Sequence, residues 1–132
     1  MAQSIYKYYM NNIENLPKTI ICDIDGCIFQ HMGNLCSMQS EKPVLLRGVK
    51  EKFDEWDKKA YKIVLLTGRK ESMRAITENQ LLSHGLFWDV LVMGATRGQR
   101  VLINDLKPSI EMPTAIAINL KRDEGLSECG NV

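Results

Sequence analysis

Two carboxylates separated by one residue stand at the end of the first apolar run of the chain. Residues 19–24 read Thr-Ile-Ile-Cys-Asp-Ile, and this β-branched run predicts a buried strand. Side chains alternate along a strand, so Asp23 and Asp25 are expected on one face. Gly26 marks a tight turn that lets the backbone pass close to a ligand. Two ionised carboxylates repel each other, and a hard cation such as magnesium removes that conflict. A solvated loop with two acids is the plainer interpretation.

Two more polar groups follow later apolar runs. Thr67 and Gly68 end the run 61–66, and a hydroxyl beside the free N–H groups of a helix start suits a phosphate oxygen. A helix-capping threonine with a turn glycine is the alternative. Asp105 ends the run 100–104 and offers another oxygen ligand. A turn-forming Asn-Asp pair is the alternative there.

The elements that must position these groups alternate between strand and helix. Strands are predicted over 19–24, 61–66, 88–93, 100–104 and 114–120, and helices over 4–16, 48–60 and 70–84. This order predicts an α/β fold, a three-layer sandwich with a mainly parallel, five-stranded, Rossmann-like sheet. Ligands bind at the carboxyl ends of such strands, which is where the polar groups fall. We predict one domain over 1–132, with a flap or loop at 27–46 and a polar tail at 121–132.

The order of these motifs resembles the haloacid dehalogenase superfamily of phosphatases. That family has Asp-x-Asp-Gly after its first strand, Thr or Ser after its second, then Lys or Arg, and an acid after its fourth. Asp23-Ile24-Asp25-Gly26, Thr67-Gly68-Arg69 and Asn104-Asp105 follow that order over residues 19–120.

The resemblance implies a role for each residue. Asp23 would attack phosphorus and form an aspartyl-phosphate. Asp25 would protonate the leaving oxygen and then activate water. Thr67 and Gly68 would bind the phosphoryl group. Asp23, Asp105 and Asp25, the last through its backbone carbonyl, would hold Mg²⁺.

The chain departs from the family pattern in three places. Cys27 replaces the usual Thr or Val, and Asn104 replaces a residue that is often acidic, which removes one charge from the metal site. The lysine of the third family motif is absent. Arg97, Arg100 and Lys107 are the candidates for its role, and a plain surface cation is the alternative for each.

Arg97 is the preferred of these three cations, and Lys107 is the second. Arg97 lies in the loop before the predicted strand 100–104 and can reach the rim, while Lys107 follows Asp105 on the rim itself. Arg100 would begin that strand, about 16 Å from Asp105 and at the opposite end.

Neither inter-motif interval is long enough for a cap domain, so a capless, open site is expected. A large substrate, the flap at 27–46 or a second subunit of a homo-oligomer would cover it. The net charge of +1 gives no global field to attract nucleic acid or a membrane. No apolar run reaches the roughly 20 residues of a membrane helix, and four cysteines without a Cys-x-x-Cys pair fit reduced thiols. A cytoplasmic protein is expected.

The function that these residues predict is magnesium-dependent hydrolysis of a phosphomonoester, and the chain is expected to be an enzyme. A phosphorylated sugar or related metabolite is the first substrate class. A nucleic-acid or nucleotide terminus is the alternative, because the phosphatase half of polynucleotide kinases shares these motifs. A regulatory module that binds phosphate without turnover is the third possibility, which the missing lysine favours.

Overall fold

The computed structural model describes residues 15–33, 42–106 and 113–132. Its strands are β1 (Thr19–Cys22), β2 (Lys62–Leu66) and β3 (Val90–Val92), and its helices are α1 (Val49–Lys58) and α2 (Arg74–Ser83). Short 3₁₀ helices cover Glu71–Met73, directly before α2, and Leu126–Glu128. The helix predicted over 4–16 lies outside the described residues as far as residue 14. None of the described helices has the length and apolar character needed to cross a membrane.

The three strands form one parallel sheet in the order β1-β2-β3. Ile20 stands opposite Ile63, and Leu65 stands opposite Leu91, so their side chains share one face. Ile63 and Leu65 are completely buried, as expected for the central strand of a parallel sheet. All three carboxyl ends therefore lie at the same edge.

Both helices pack on this buried face. In α1, Val49, Phe53 and Trp56 follow the four- and three-residue spacing of one helical stripe and are buried. Burying a large apolar side chain contributes about 1.5–3 kcal/mol, so this stripe is a main source of stability. In α2, Leu81 joins the same core, whereas the neighbouring buried positions are the polar Thr77 and Gln80.

The predicted five-stranded sheet is wrong, although the α/β class is compatible with the structure. The sheet has three strands, and the runs 100–104 and 114–120 form neither strand nor helix. Ile103 is 90% exposed and Ile116 is 76% exposed. An apolar run supports a strand only where a neighbouring strand takes up its hydrogen bonds and a second layer covers its side chains. Among the described residues, the runs 100–104 and 114–120 have neither a hydrogen-bonded neighbouring strand nor a layer that covers their side chains.

The segment predicted as a polar tail packs against α1. Leu126 and Cys129 are buried, and the Leu126 N–H donates to the Arg47 carbonyl at 2.9 Å. The indole N–H of Trp56 donates to the carbonyl oxygen of Val132 at 3.0 Å. Residues 121–132 are therefore part of the folded body.

The two ends of the predicted flap pair with each other. Phe29 and Leu45 form an antiparallel bridge. The Gln30 N–H donates to the Val44 carbonyl, and the Leu46 N–H donates to the Ile28 carbonyl, both at 2.9 Å. The flap thus starts from a short two-stranded stem, while its residues 34–41 lie outside the described part.

A substitution at Gly125 tests how firmly residues 121–132 pack against the rest of the protein. It has φ 84° and ψ −172°, a region open essentially to glycine, and a Cβ there would overlap the Arg47 carbonyl oxygen. Gly125→Ala is expected to lower the free energy of unfolding by about 2–4 kcal/mol, measured by urea denaturation. Gly130→Ala is the matched control, because Gly130 also has a positive φ (70°) but no heavy atom within 4 Å of its Cβ position. Equal losses in the two variants would contradict the docking.

Candidate functional site

Asp23 directly follows β1 at the carboxyl edge of the sheet. Its Oδ1 accepts the backbone N–H of Ile24 at 2.8 Å. Asp23 is exposed by its accessible surface. The protein around its carboxylate nevertheless removes part of the surrounding water, and this desolvation raises the pKa of Asp23. The Ile24 N–H and the positive charges of Arg100 and His31 lower this pKa, and Asp25 raises it, with a net increase.

The loop after Asp23 is held by its own backbone. The Ile24 carbonyl accepts N–H groups from Cys27, Ile28 and Phe29 at 3.2, 2.8 and 3.1 Å. The Gly26 N–H donates to the Phe29 carbonyl at 2.7 Å, and Gly26 has φ 89°, which suits a residue without a side chain. Because Ile24 is also completely buried, the loop is anchored between the two carboxylates.

Asp25 is held by Arg69 through two parallel hydrogen bonds. Arg69 Nε donates to Oδ2 at 2.8 Å, and Nη2 donates to Oδ1 at 2.7 Å. The side chains are 1% and 11% exposed for Arg69 and Asp25, respectively. Such a bidentate pair is strong and directional, so it fixes the carboxylate of Asp25 against the turn after β2.

The remaining donors of Arg69 point to α2. Nη1 donates to Thr77 Oγ1 at 3.0 Å and to Gln80 Oε1 at 2.6 Å. Thr77 and Gln80 are buried, and no buried side-chain nitrogen or oxygen of the described residues lacks a hydrogen-bond partner. The polar positions in the buried stripe of α2 therefore serve Arg69.

Thr67 and Gly68 occupy the turn after β2. Thr67 is buried, and its hydroxyl accepts the Arg69 N–H at 3.1 Å. Its backbone joins the β3 side of the sheet, because its N–H donates to the Val92 carbonyl at 2.9 Å and its carbonyl accepts the Ala95 N–H at 3.0 Å. Gly68 is exposed at the rim. The predicted contact of both residues with phosphate stays a prediction.

Arg100 is the candidate cation whose charge acts on Asp23. Its Nη1 donates to the Thr96 carbonyl at 2.6 Å and to the Gly98 carbonyl at 3.0 Å, which folds the side chain back along its own loop. The argument that set Arg100 at the far end of the sheet depended on a strand over 100–104, and that strand is not formed. Arg97 is exposed in the same loop, and Lys107 lies outside the described residues.

The described residues do not bring three acidic side chains together around a metal. In residues 15–33, 42–106 and 113–132, no group of three His, Cys, Asp or Glu side chains is placed to hold one. Both carboxylate oxygens of Asp25 accept hydrogen bonds from Arg69, which leaves its backbone carbonyl, the ligand that the resemblance implies. Asp105 is exposed and lines a shallow hollow together with Asn104 and Thr114. The magnesium requirement therefore stays a prediction of the resemblance.

Sequence reasoning missed the structural importance of Arg69. The signal for it was present, since Thr77 and Gln80 interrupt an inward-facing helical stripe with groups that need a polar partner.

The comparisons with known proteins give structural likeness only. No family model matches the chain, and no curated protein matches it. One solved chain, from the structure of a Pnkp1/Rnl/Hen1 complex, is 30% identical with a TM-score of 0.53, over 65% of this chain and 31% of that chain. A second, described as belonging to the Pnkp1/Rnl/Hen1 RNA repair complex, is 31% identical with a TM-score of 0.52, over 64% of this chain and 28% of that one. This chain spans less than a third of each.

Removing Arg69 should destabilise the protein strongly. Arg69→Met leaves the nearly buried carboxylate of Asp25 without a partner, which is expected to cost about 3–5 kcal/mol in the free energy of unfolding. Lys50→Gln is the control, because it breaks an exposed pair with Asp54 (side chains 46% and 54% exposed) and is expected to cost under about 0.5 kcal/mol. Urea denaturation measures both, and a loss below about 1 kcal/mol for Arg69→Met would refute this account.

The ionised carboxylate of Asp23 should lower the free energy of unfolding at neutral pH. Its raised pKa means that the folded state binds the proton more tightly than the unfolded state. Ionising Asp23 therefore costs folding free energy as pH rises through the folded-state pKa, whereas below the unfolded pKa both states are protonated. Asp23→Asn is expected to raise Tm at neutral pH. The gain in the free energy of unfolding should be less than about 1 kcal/mol, because solvent screens the carboxylate. The gain should vanish in acid, and a constant difference at all pH values would contradict this cause.

Proposed function

We propose that the chain is a phosphomonoesterase of the haloacid dehalogenase type that removes a terminal phosphate from RNA. The likeness to chains of an RNA repair complex carries the choice of substrate. The support for the reaction is the placement of Asp23 beyond the end of β1, with one carboxylate oxygen oriented by the Ile24 N–H.

RNA is preferred to a phosphorylated sugar on a second, electrostatic ground. The net charge of the chain is only +1, but Arg100, whose charge acts on Asp23, and the exposed Arg97 share one loop after β3. Substrate attraction depends on the local field rather than on the sum over the chain. A positive rim beside the nucleophile suits a substrate that carries several phosphates.

In the proposed reaction, Asp23 attacks the phosphorus with its carboxylate. The new bond joins Asp23 to phosphorus, and the bond from phosphorus to the RNA oxygen breaks with its electron pair going to that oxygen. Water then hydrolyses the aspartyl-phosphate, which releases phosphate and restores the carboxylate. Arg100 favours the ionised, nucleophilic form of Asp23, because its positive charge opposes the rise in the pKa of Asp23 that burial causes.

In this proposal Asp25 gives a proton to the leaving oxygen and regains one from the water that hydrolyses the aspartyl-phosphate. Both of its carboxylate oxygens accept N–H groups of Arg69, so proton transfer asks one oxygen to exchange Arg69 for the substrate. Arg69 keeps its bonds to Thr77 and Gln80 during such an exchange and remains in place. Arg69 is thus a positioning residue for the proton donor.

A phosphate-binding module without turnover is the second candidate. The ion pair of Asp25 with Arg69 favours this second candidate, because the residue that would donate the proton is already engaged. The two candidates differ in one measurable property, the release of inorganic phosphate.

Phosphate release from a panel of substrates tests the proposal. A short RNA with a terminal phosphate should be hydrolysed with a higher kcat/KM than phosphorylated sugars. Asp23→Asn, which is isosteric and keeps an oxygen for the Ile24 N–H, should abolish turnover. A variant rate within about tenfold of the parent, a barrier change of about 1.4 kcal/mol, would contradict the covalent mechanism. RNA binding without any phosphate release would favour the non-catalytic module.

Chelation tests the metal separately. The resemblance predicts that EDTA abolishes phosphate release and that excess Mg²⁺ restores it. Titration with Mg²⁺ in the presence of RNA should give saturable activity, because the bound phosphate adds oxygen ligands to those that the protein offers. Full activity after exhaustive chelation would remove magnesium from the proposed function.

A further inference from the structure

The segment before the last 3₁₀ helix is fastened to the loop that carries Asp23 and Asp25. The Asp123 N–H donates to the Gly26 carbonyl at 2.9 Å. The carboxylate Oδ1 of Asp123 accepts the His31 N–H at 2.8 Å. Asp123 has φ 65°, a left-handed conformation that aspartate adopts more readily than most residues. These two hydrogen bonds lie on either side of the turn that follows the carboxylates.

This attachment sets Arg122 against the turn itself. The Arg122 Cγ lies 3.3 Å from the position that a Cβ on Gly26 would take. The methylene stem of Arg122 therefore packs over the turn at Gly26, which has no side chain of its own. Arg122 and its neighbour Lys121 are both exposed. Within the described part of the chain, no carboxylate forms a salt bridge with either of them. An exposed cation with a packed stem is available to a ligand at this rim.

Arg122 contacts the loop at Gly26, three residues beyond Asp23 along the chain. It is therefore placed to meet a part of the substrate other than the group that Asp23 attacks. A polynucleotide carries further phosphates beyond its terminal one, whereas a small phosphate ester does not.

We infer that Arg122 binds the phosphodiester next to the terminal phosphate of an RNA strand, with Lys121 adding to the positive field. This inference rests on the proposed function and names the residues that favour RNA over small esters. The guanidinium is suited to the task, because its planar N–H groups can donate to two oxygens of one phosphate. A surface cation without a ligand is the competing interpretation.

Binding measured without turnover tests the inference directly. In the Asp23→Asn protein, fluorescence anisotropy would follow a labelled short oligouridylate with a terminal phosphate. Adding Arg122→Gln should weaken binding about tenfold at low salt and reduce the slope of log K against log [salt] by about 1. Arg122→Lys should recover most of the affinity, since it keeps the charge. The Gln side chain keeps the methylene stem on Gly26, so the turn retains its packing.

Lys58→Gln is the matched control for charge. Lys58 is an exposed cation on α1, and its removal changes the net charge by the same amount. If Arg122→Gln and Lys58→Gln weaken RNA binding equally, or if neither weakens it, the inference is overturned.

Measurements of kcat/KM distinguish an error in the assignment of Arg122 from an error in the proposed phosphatase function. In the protein with Asp23 intact, Arg122→Gln should lower kcat/KM for the phosphorylated RNA about tenfold more than for p-nitrophenyl phosphate. Equal losses on both substrates would assign Arg122 a structural role and overturn the inference while leaving phosphatase activity established. Loss of RNA binding in Arg122→Gln, in a protein that never releases phosphate, would refute the proposed catalysis and uphold the contact.

Discussion

The buried pair between Arg69 and Asp25 is the interaction on which the carboxyl edge of the sheet depends. Arg69 follows β2, its guanidinium holds the carboxylate that follows β1, and its carbonyl accepts the Gly94 N–H after β3 at 2.7 Å. One residue thus joins the ends of all three strands. A buried guanidinium with all three nitrogens hydrogen-bonded tolerates few arrangements, because moving any partner leaves a polar group unpaired away from water.

The loop of Asp23 is held from its other side by elements distant in sequence. The flap stem fixes the residues after Gly26, since Gln30 pairs with Val44. Asp123 binds both Gly26 and the His31 backbone. A sheet of three short strands offers few fixed points, and these contacts supply the others. The loop of the proposed nucleophile is therefore held by the short sheet, by the flap stem and by Asp123.

Charge around Asp23 is arranged locally rather than by composition. Arg100 comes from the loop after β3 and its charge acts on Asp23, whereas Arg122 comes from the final segment of the chain and packs on Gly26. Both cations thus lie near the loop of Asp23 in a chain whose net charge is only +1. Net charge alone had favoured a small metabolite, whereas the proposal of an RNA substrate depends on where these cations lie.

Much of the local structure could be predicted from sequence because each element carries its own signal. The apolar run before Asp23 predicts β1, and the spacing of Val49, Phe53 and Trp56 predicts α1, since a strand and a helix each repeat with a fixed period. The structure confirms β1 and α1, although β1 ends at Cys22 and not at Ile24. Asp23 and Asp25 therefore lie in the loop after the strand, where the alternation of strand side chains does not set which face they share.

What only the tertiary structure decided is which distant groups meet. The runs 100–104 and 114–120 have the composition of strands but stay exposed, because strand formation needs a partner edge that composition does not specify. Likewise, no local pattern couples Arg69 to Asp25, which is 44 residues away, or brings the charge of Arg100 to act on Asp23. Secondary structure follows from short-range periodicity, whereas the electrostatics of the site follow from long-range packing, about which a single sequence carries little information.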